Sequence, residues 1–253
     1  MNESASILKL LPLGDTAWTV EFGNRIDPAL YARVLGLLDA LKDAPRDGVF
    51  AGIVDIVPTF RSLTVHYDPA RSEGPALGEA LLSLAQTARA VSREGRRWSI
   101  PVCFDADFAL DLDDLAQAKG MTRNAVIDLM TATTFQVYMI GFMPGFPYMG
   151  GLPAALEMPR LSSPRKALPA RSLAIAGAMC AVYPWESPGG WRLLGRTPIP
   201  MFSAREENAP SLLAAGDRVN WRAVDRAEFE RLEAAALRGE FVRESLLIEE
   251  ARR

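Results

Sequence analysis

From Phe135 to Val224 the sequence carries no convincing helical repeat, and short β-prone segments alternate with turns rich in glycine and proline. A helix needs apolar residues returning every three or four positions and tolerates interior proline poorly. A stretch written this way must build its core from strands, as a β-barrel or a sandwich. A strand over Trp98 to Phe104 and two short helices precede it. Asp111 is placed to cap the first helix, which ends at Lys119-Gly120, and Thr122 to cap the second, which runs through Met130. After it, Phe229, Leu232 and Ala236 give the segment from Asp225 to about Arg238 one apolar side, and the charged end beyond is expected to fray.

The first ninety-odd residues have a different texture. Ile7 to Leu11 and Ala17 to Phe22 read as strands joined across Leu13-Gly14-Asp15. Asp27 followed by Pro28 starts a helix to about Lys42, with Leu30, Val34, Leu37, Leu38 and Leu41 at helical spacing. Val49 to Val57 and Phe60 to Tyr67 are β-rich and separated by Pro58, and Pro75 opens a second helix carrying Leu77, Leu81, Leu84, Ala88 and Val91. The order ββαββα predicts an antiparallel sheet with both helices on one face. The polar run Glu94-Gly95-Arg96-Arg97 marks the boundary, giving an α+β domain over residues 1–94 and a β-rich domain over 95–253.

Composition removes whole classes of chemistry. With 253 residues, 49% hydrophobic and 23% charged, the chain buries a core that needs no disulfide or metal as a staple. Lys plus Arg number 28 against 31 Asp plus Glu, a net charge of -3, so the basic excess that nucleic-acid binding exploits is missing. Leu115-Ala116, Gly120 and Val126 match the packing positions of a helix-turn-helix, but Asp111, Asp113, Asp114 and Asp128 outweigh Lys119 and Arg123, and phosphates would repel such a module. His66 is the only histidine, which excludes multi-histidine metal sites, and no metal site is expected. The alternation of Leu63, Val65 and Tyr67 turns His66 off the apolar face of a strand. No Walker-type loop or dinucleotide fingerprint occurs, so a nucleotide would need help from another chain. Two cysteines, Cys103 and Cys180, no leader-like start and no apolar run of bilayer length lead to the expectation of a cytoplasmic protein with reduced thiols and no membrane partner.

Three clusters carry the specific signal. Residues 141–151 read Gly-Phe-Met-Pro-Gly-Phe-Pro-Tyr-Met-Gly-Gly, glycines and prolines that stiffen and shape a loop so that its aromatics sit on a pre-ordered surface; a hydrophobic barrel corner is the plainer alternative. Pro159-Arg160, Pro164-Arg165 and Pro169-Ala170-Arg171 follow, then Tyr183-Pro184-Trp185-Glu186-Ser187-Pro188-Gly189-Gly190-Trp191-Arg192-Leu193-Leu194-Gly195-Arg196. Arginines among stiff turns beside aromatics suit recognition of a carboxylate or phosphoryl group. A compact anion would be oriented by Arg165, Arg192 and Arg196, with Arg160 as a fourth, backbone hydrogen bonds from Gly189 and Gly190, and an apolar wall of Phe146 and Tyr148. The alternative is that these arginines pin barrel loops or a subunit interface. No residue is assigned a catalytic role.

These clusters, with Ala215-Gly216-Asp217-Arg218-Val219 and PTFRSLTVHYDP, closely resemble the family variously labelled allophanate hydrolase subunit 1, Kip inhibitor and the B component of 5-oxoprolinase, the carboxyltransferase subdomain C and D family. The resemblance covers almost the whole chain and is most specific in GFMPGFPYMGGLP and SPGGWRLLGRTP. It implies an α+β protein: a small α/β-sandwich domain followed by a cyclophilin-like β-barrel. It also implies an obligate subunit, inactive alone, whose partners are a subunit 2 family protein (the C component) and a LamB/YcsF-type protein. The reaction implied is ATP-dependent opening of 5-oxoproline to glutamate, with ATP bound by the complex rather than by this chain alone. Two other activities in the family, inhibition of a histidine kinase and one half of a urea carboxylase-type carboxyltransferase, remain alternatives. The sequence departs from the family pattern at Leu129-Met130-Thr131, where a histidine is usual, and at Phe104-Asp105-Ala106-Asp107, where a Tyr-Gly-Gly turn is usual. Methionine cannot carry a proton, so either a chemical step is altered here or the histidine is structural and Met130 fills its volume.

Overall fold

A computed structural model describes residues 8–92, 95–206 and 208–248, and the chain divides into two compact units, Met1–Arg93 and Glu94–Arg253. Ile7, Glu94 and the last five residues, on which parts of the sequence reading fell, lie outside the described residues.

In the first unit β1 (Lys9–Pro12), β2 (Ala17–Glu21), β3 (Ile53–Pro58) and β4 (Ser62–Tyr67) form an antiparallel sheet in the order β1-β2-β4-β3. Helix α1 (Pro28–Asp43) starts where expected, with the Asp27 carboxylate accepting the Ala29 amide at 2.8 Å, a bond that holds its pKa below the usual carboxylate value. On β4, Leu63, Val65 and Tyr67 are buried while Ser62, Thr64 and His66 are only half-buried, so His66 does point off the apolar face. Two boundaries differ from expectation. Residues 48–50 make a 3-10 turn, and β3 begins only at Ile53. Helix α2 (Gly74–Thr87) ends before Ala88 and Val91, because that segment crosses α1: Val91 donates to the Ala32 carbonyl at 2.8 Å, and a Cβ on Gly36 would lie 2.0 Å from the Arg89 oxygen.

The second unit is a closed barrel. It is built from β5 (Arg97–Cys103), β6 (Thr134–Ile140), β7 (Pro147–Gly150), β9 (Ser172–Ala176), β10 (Met179–Val182), β12 (Arg192–Arg196) and β13 (Arg218–Val224), in the order β10-β7-β6-β13-β5-β12-β9. Only the β13–β5 pairing is parallel among the described strands. The remaining strands, β8 (Arg165–Leu168) and β11 (Ser187–Gly189), pair as a separate two-stranded ribbon. Among the described residues no α-helix interrupts the stretch from Phe135 to Val224, as its composition predicted. Helices α3 (Leu112–Ala118) and α4 (Arg123–Ala132) precede it and α5 (Arg226–Leu237) follows, capped by Asp225. Among the described residues no helix is long and apolar enough to cross a membrane.

The lumen is filled. Trp98, Ile100 and Val102 point inward from β5 and meet Phe135, Val137, Met149, Ile175 and Trp221, with Leu112, Leu115, Val126 and Met130 of α3 and α4 joining the same core. The helix pair that resembled a DNA reader therefore spends its apolar face on the barrel. Asp217 locks the starts of β5 and β13 together: its carboxylate accepts the Arg96 amide (2.9 Å), the Trp98 indole (2.8 Å), the Ala214 amide (3.0 Å) and the Arg96 guanidinium (3.1 Å).

With the lumen packed, room for a ligand must lie outside. Small outward residues of β9 and β10, Ala174, Ala176 and Ala181, let a second apolar layer approach; it consists of Phe146, Leu168, Tyr183, Trp191 and Leu193. The ribbon contributes Leu168, and the glycine-rich loop after β6 contributes Phe146.

Candidate functional site

The loop at residues 141–146 is closed by its own backbone: Gly141 donates to the Phe146 carbonyl, and Phe146 to that of Met143, both at 3.1 Å. Phe142 sits at φ 68, a conformation costly for a residue with a side chain, and its ring is 65% exposed. Gly145 at φ 80 is needed, because a Cβ there would stand 2.7 Å from the Phe202 Cβ. The stiff loop that the sequence pattern predicted thus presents two phenylalanines to the flank of the barrel.

Between this loop and the ribbon lies a cavity of about 290 Å³, lined by Phe142, Phe146, Tyr148, Arg160, Pro164, Tyr183, Pro188, Gly189, Gly190 and Trp191. Phe146 is its hub, with ring centroids 4.8 Å from Tyr148, 5.1 Å from Tyr183, 5.4 Å from Phe142 and 5.9 Å from Trp191. Arg160 is the one charged residue of the lining. Its guanidinium stands 5.7 Å from the Trp191 ring, and it makes no ion pair among the described residues. Burial pushes the Tyr183 phenol up to about 12 and raises that of Tyr148, while the Arg160 charge acts against both shifts. Both phenols stay neutral at physiological pH. The cavity therefore offers an aromatic wall, neutral hydroxyls and one available cation, which suits a small ring or flat group carrying a single negative charge.

Gly189 has no room for a side chain: a Cβ would lie 2.5 Å from the Tyr183 hydroxyl and 2.6 Å from Leu168 Cδ1. Gly189→Ala should lower the stability of the barrel unit by about 1–3 kcal/mol through overpacking, read as a shifted denaturation midpoint. A midpoint within error of the parent would show that the ribbon simply yields.

Of the eight residues proposed from sequence, five line this cavity: Phe146, Tyr148, Arg160, Gly189 and Gly190. The other three arginines lie outside the lining. Arg165 gives both terminal nitrogens to Asp111, at 2.8 and 2.7 Å, and this bond raises its pKa. Arg192 Nε donates to the Pro159 carbonyl at 3.1 Å. Arg196 Nε donates to the Ala170 carbonyl at 2.9 Å beside the Phe108 ring, where burial lowers its pKa. Sequence reasoning left Phe142, Pro164, Tyr183, Pro188 and Trp191 out of its proposal, although each falls within or beside a motif it singled out.

Asp111 departs from the expectation of a helix cap. It stands at the start of α3, but its carboxylate makes no helix-capping bond; it is 2% exposed and taken by Arg165 and by the Leu193 amide at 2.7 Å. Met130 is fully buried within the barrel core and does not line the cavity, so it fills volume there. A second, more open groove of about 550 Å³ runs past Phe104, Asp105, Asp113 and Arg123, but its arginine is already held by Asp113 and by the Phe104 carbonyl.

Residues 8–213 match the family described as carboxyltransferase domain, subdomain C and D. The chain is 36% identical over 231 residues to the B component of 5-oxoprolinase from Bacillus subtilis, covering 86% of this chain and 93% of that relative. Among solved structures it is similar to TTHA0988, with 33% identity, a TM-score of 0.68 and 83% of this chain covered, although it spans only 40% of that longer chain. It also superposes on the urea carboxylase of Kluyveromyces lactis with a TM-score of 0.82 over 92% of this chain and 23% of that one; at 21% identity this is a likeness of fold.

Proposed function

The chain belongs to the carboxyltransferase subdomain C and D family, and from that premise we propose that it is a subunit of an ATP-dependent 5-oxoprolinase, which opens 5-oxo-L-proline to L-glutamate together with a subunit 2 family protein (the C component) and a LamB/YcsF-type protein. The observation that carries this reading is the cavity whose single charged lining residue is Arg160. 5-Oxoproline is a flat five-membered lactam bearing one carboxylate. In the proposed pose the ring lies against Phe146, Tyr148 and Trp191, and the carboxylate meets the Arg160 guanidinium in a charge-assisted hydrogen bond. The buried, neutral hydroxyl of Tyr183 is a donor that does not repel an anion.

The cavity does not fit ATP. A triphosphate carries several negative charges and needs a phosphate loop or several cations, whereas this lining has one arginine. We assign ATP to the partner subunits and give this chain the work of binding and orienting the substrate. Two buried free cysteines accord with placing the complex in the cytoplasm.

Reconstitution tests the proposal. The purified chain alone should release no glutamate from 5-oxoproline, whereas the chain mixed with both partners should release glutamate and ADP together. Turnover by the isolated chain would overturn the assignment as an obligate subunit. Bicarbonate-dependent ATP consumption with urea, without 5-oxoproline opening, would assign the complex to carboxyl transfer instead.

A further inference from the structure

We propose that Asp111 is a positioning residue for the aromatic cavity: its buried carboxylate ties the β8–β11 ribbon to strand β12 and so fixes the wall that Pro164, Gly189, Gly190 and Trp191 present to a ligand. The proposal rests on the reading of that cavity as the substrate site. Asp111 grips two separate strands. On β8, both its oxygens are held by the terminal nitrogens of Arg165. On β12, one oxygen also accepts the Leu193 amide at 2.7 Å, and the Asp111 amide donates to the Leu193 carbonyl at 2.9 Å.

The route from this carboxylate to the cavity is short. Leu193 lies two residues after Trp191, Arg165 directly follows Pro164, and Arg165 is the register partner of Gly189 across the ribbon. The ribbon has two strands and an irregular register between Ser187 and Gly189, and an isolated two-stranded pair is marginal without outside support. Asp111 supplies that support from inside the protein. The arrangement also accounts for the missing helix cap: at this position an aspartate would ordinarily accept the first free amides of α3, and here both oxygens are turned to the strands instead.

The test uses the full chain labelled with 5-fluorotryptophan. Its five tryptophans give separate fluorine resonances, with that of Trp191 assigned through Trp191→Phe. Trp191 is 4% exposed, so its resonance should show almost no solvent-isotope shift in the parent. In Asp111→Asn that shift should grow, while those of the lumen residues Trp98 and Trp221 stay put. Arg165→Lys, which keeps one charged bond, should give a smaller change in the same direction. In the reconstituted complex Asp111→Asn should raise KM for 5-oxoproline roughly tenfold or more with a smaller change in kcat, and Arg165→Lys should recover part of the loss. An unchanged Trp191 in both variants, or equal movement of Trp98 and Trp221, would overturn the proposal, the latter by showing a general loosening of the barrel. If Asp111→Asn does not fold, Arg165→Lys decides by the same resonances. The fluorine measurement needs no ligand, so a parent complex that fails to open 5-oxoproline would refute the substrate reading and leave the role of Asp111 still decided.

Discussion

Arg165→Met should destabilise the barrel unit by about 3–5 kcal/mol, because it leaves a buried carboxylate without its counter-charge. Asp111 is 2% exposed and would retain only the Leu193 amide as a donor. The reverse substitution should cost less. The Arg165 side chain is 30% exposed, so in Asp111→Asn the orphaned guanidinium can turn toward water, and the loss should be about 1–3 kcal/mol. Combining Asp111→Asn with Arg165→Met should recover part of the larger loss, since neither charge then remains to be desolvated. Denaturant midpoints of the four proteins form a double-mutant cycle. Equal costs for the two single variants would mean that Asp111 is better hydrated than its burial indicates.

A loss of similar size is expected for Asp217→Ala. Its carboxylate accepts two backbone amides, the Trp98 indole and the Arg96 guanidinium, and it is 3% exposed. Removing it strands the buried Trp98 indole at about 1–3 kcal/mol and loses the charge-assisted bonds to the part-buried Arg96 and Ala214 amides, whose access to solvent offsets part of their cost. A net loss of about 3–5 kcal/mol corresponds to roughly 6–20 °C in the melting temperature of a unit this size. The Arg96 and Arg243 guanidinium groups stand 4.7 and 5.7 Å from the Trp98 ring, and its indole bonds Asp217, so its fluorescence should report the same event. A melting temperature within 2 °C or so of the parent would show that the parallel pairing of β5 and β13 holds these strands without the aspartate.

What the sequence disclosed follows the range of the interaction concerned. Helix starts at Asp27 and Thr122 were legible because a capping oxygen and its amide lie two or three residues apart, and the helix after Asp225 from its apolar repeat alone, the cap there being shown by the structure. The barrel was legible as a class from glycine, proline and strand alternation, and the loop around Phe146 from its unusual composition. The arginines were not legible in the same way. Arg160, Arg165, Arg192 and Arg196 look alike in sequence, and only the fold shows that Asp111, 54 residues from Arg165, takes one of them while Arg160 has no such partner among the described residues. Asp111 carries the local signal of a helix cap, and a tertiary ion pair overrides it. Helix α2 stopped early for a similar reason: its apolar repeat continues to Val91, but the backbone there is taken by α1.

The central claim, that the aromatic cavity orients a substrate carboxylate through Arg160, is tested most directly by the kinetics of Arg160→Met in the reconstituted complex. Methionine keeps much of the apolar stem and removes the charge, and Arg160 is exposed, without an ion pair among the described residues, so folding and assembly should be unaffected. A lost charged hydrogen bond costs about 1.5–3 kcal/mol, so kcat/KM for 5-oxoproline should fall roughly 10- to 150-fold, with the complex eluting as the parent does. An assembled Arg160→Met complex that opens 5-oxoproline with the parent's kcat/KM would contradict the claim.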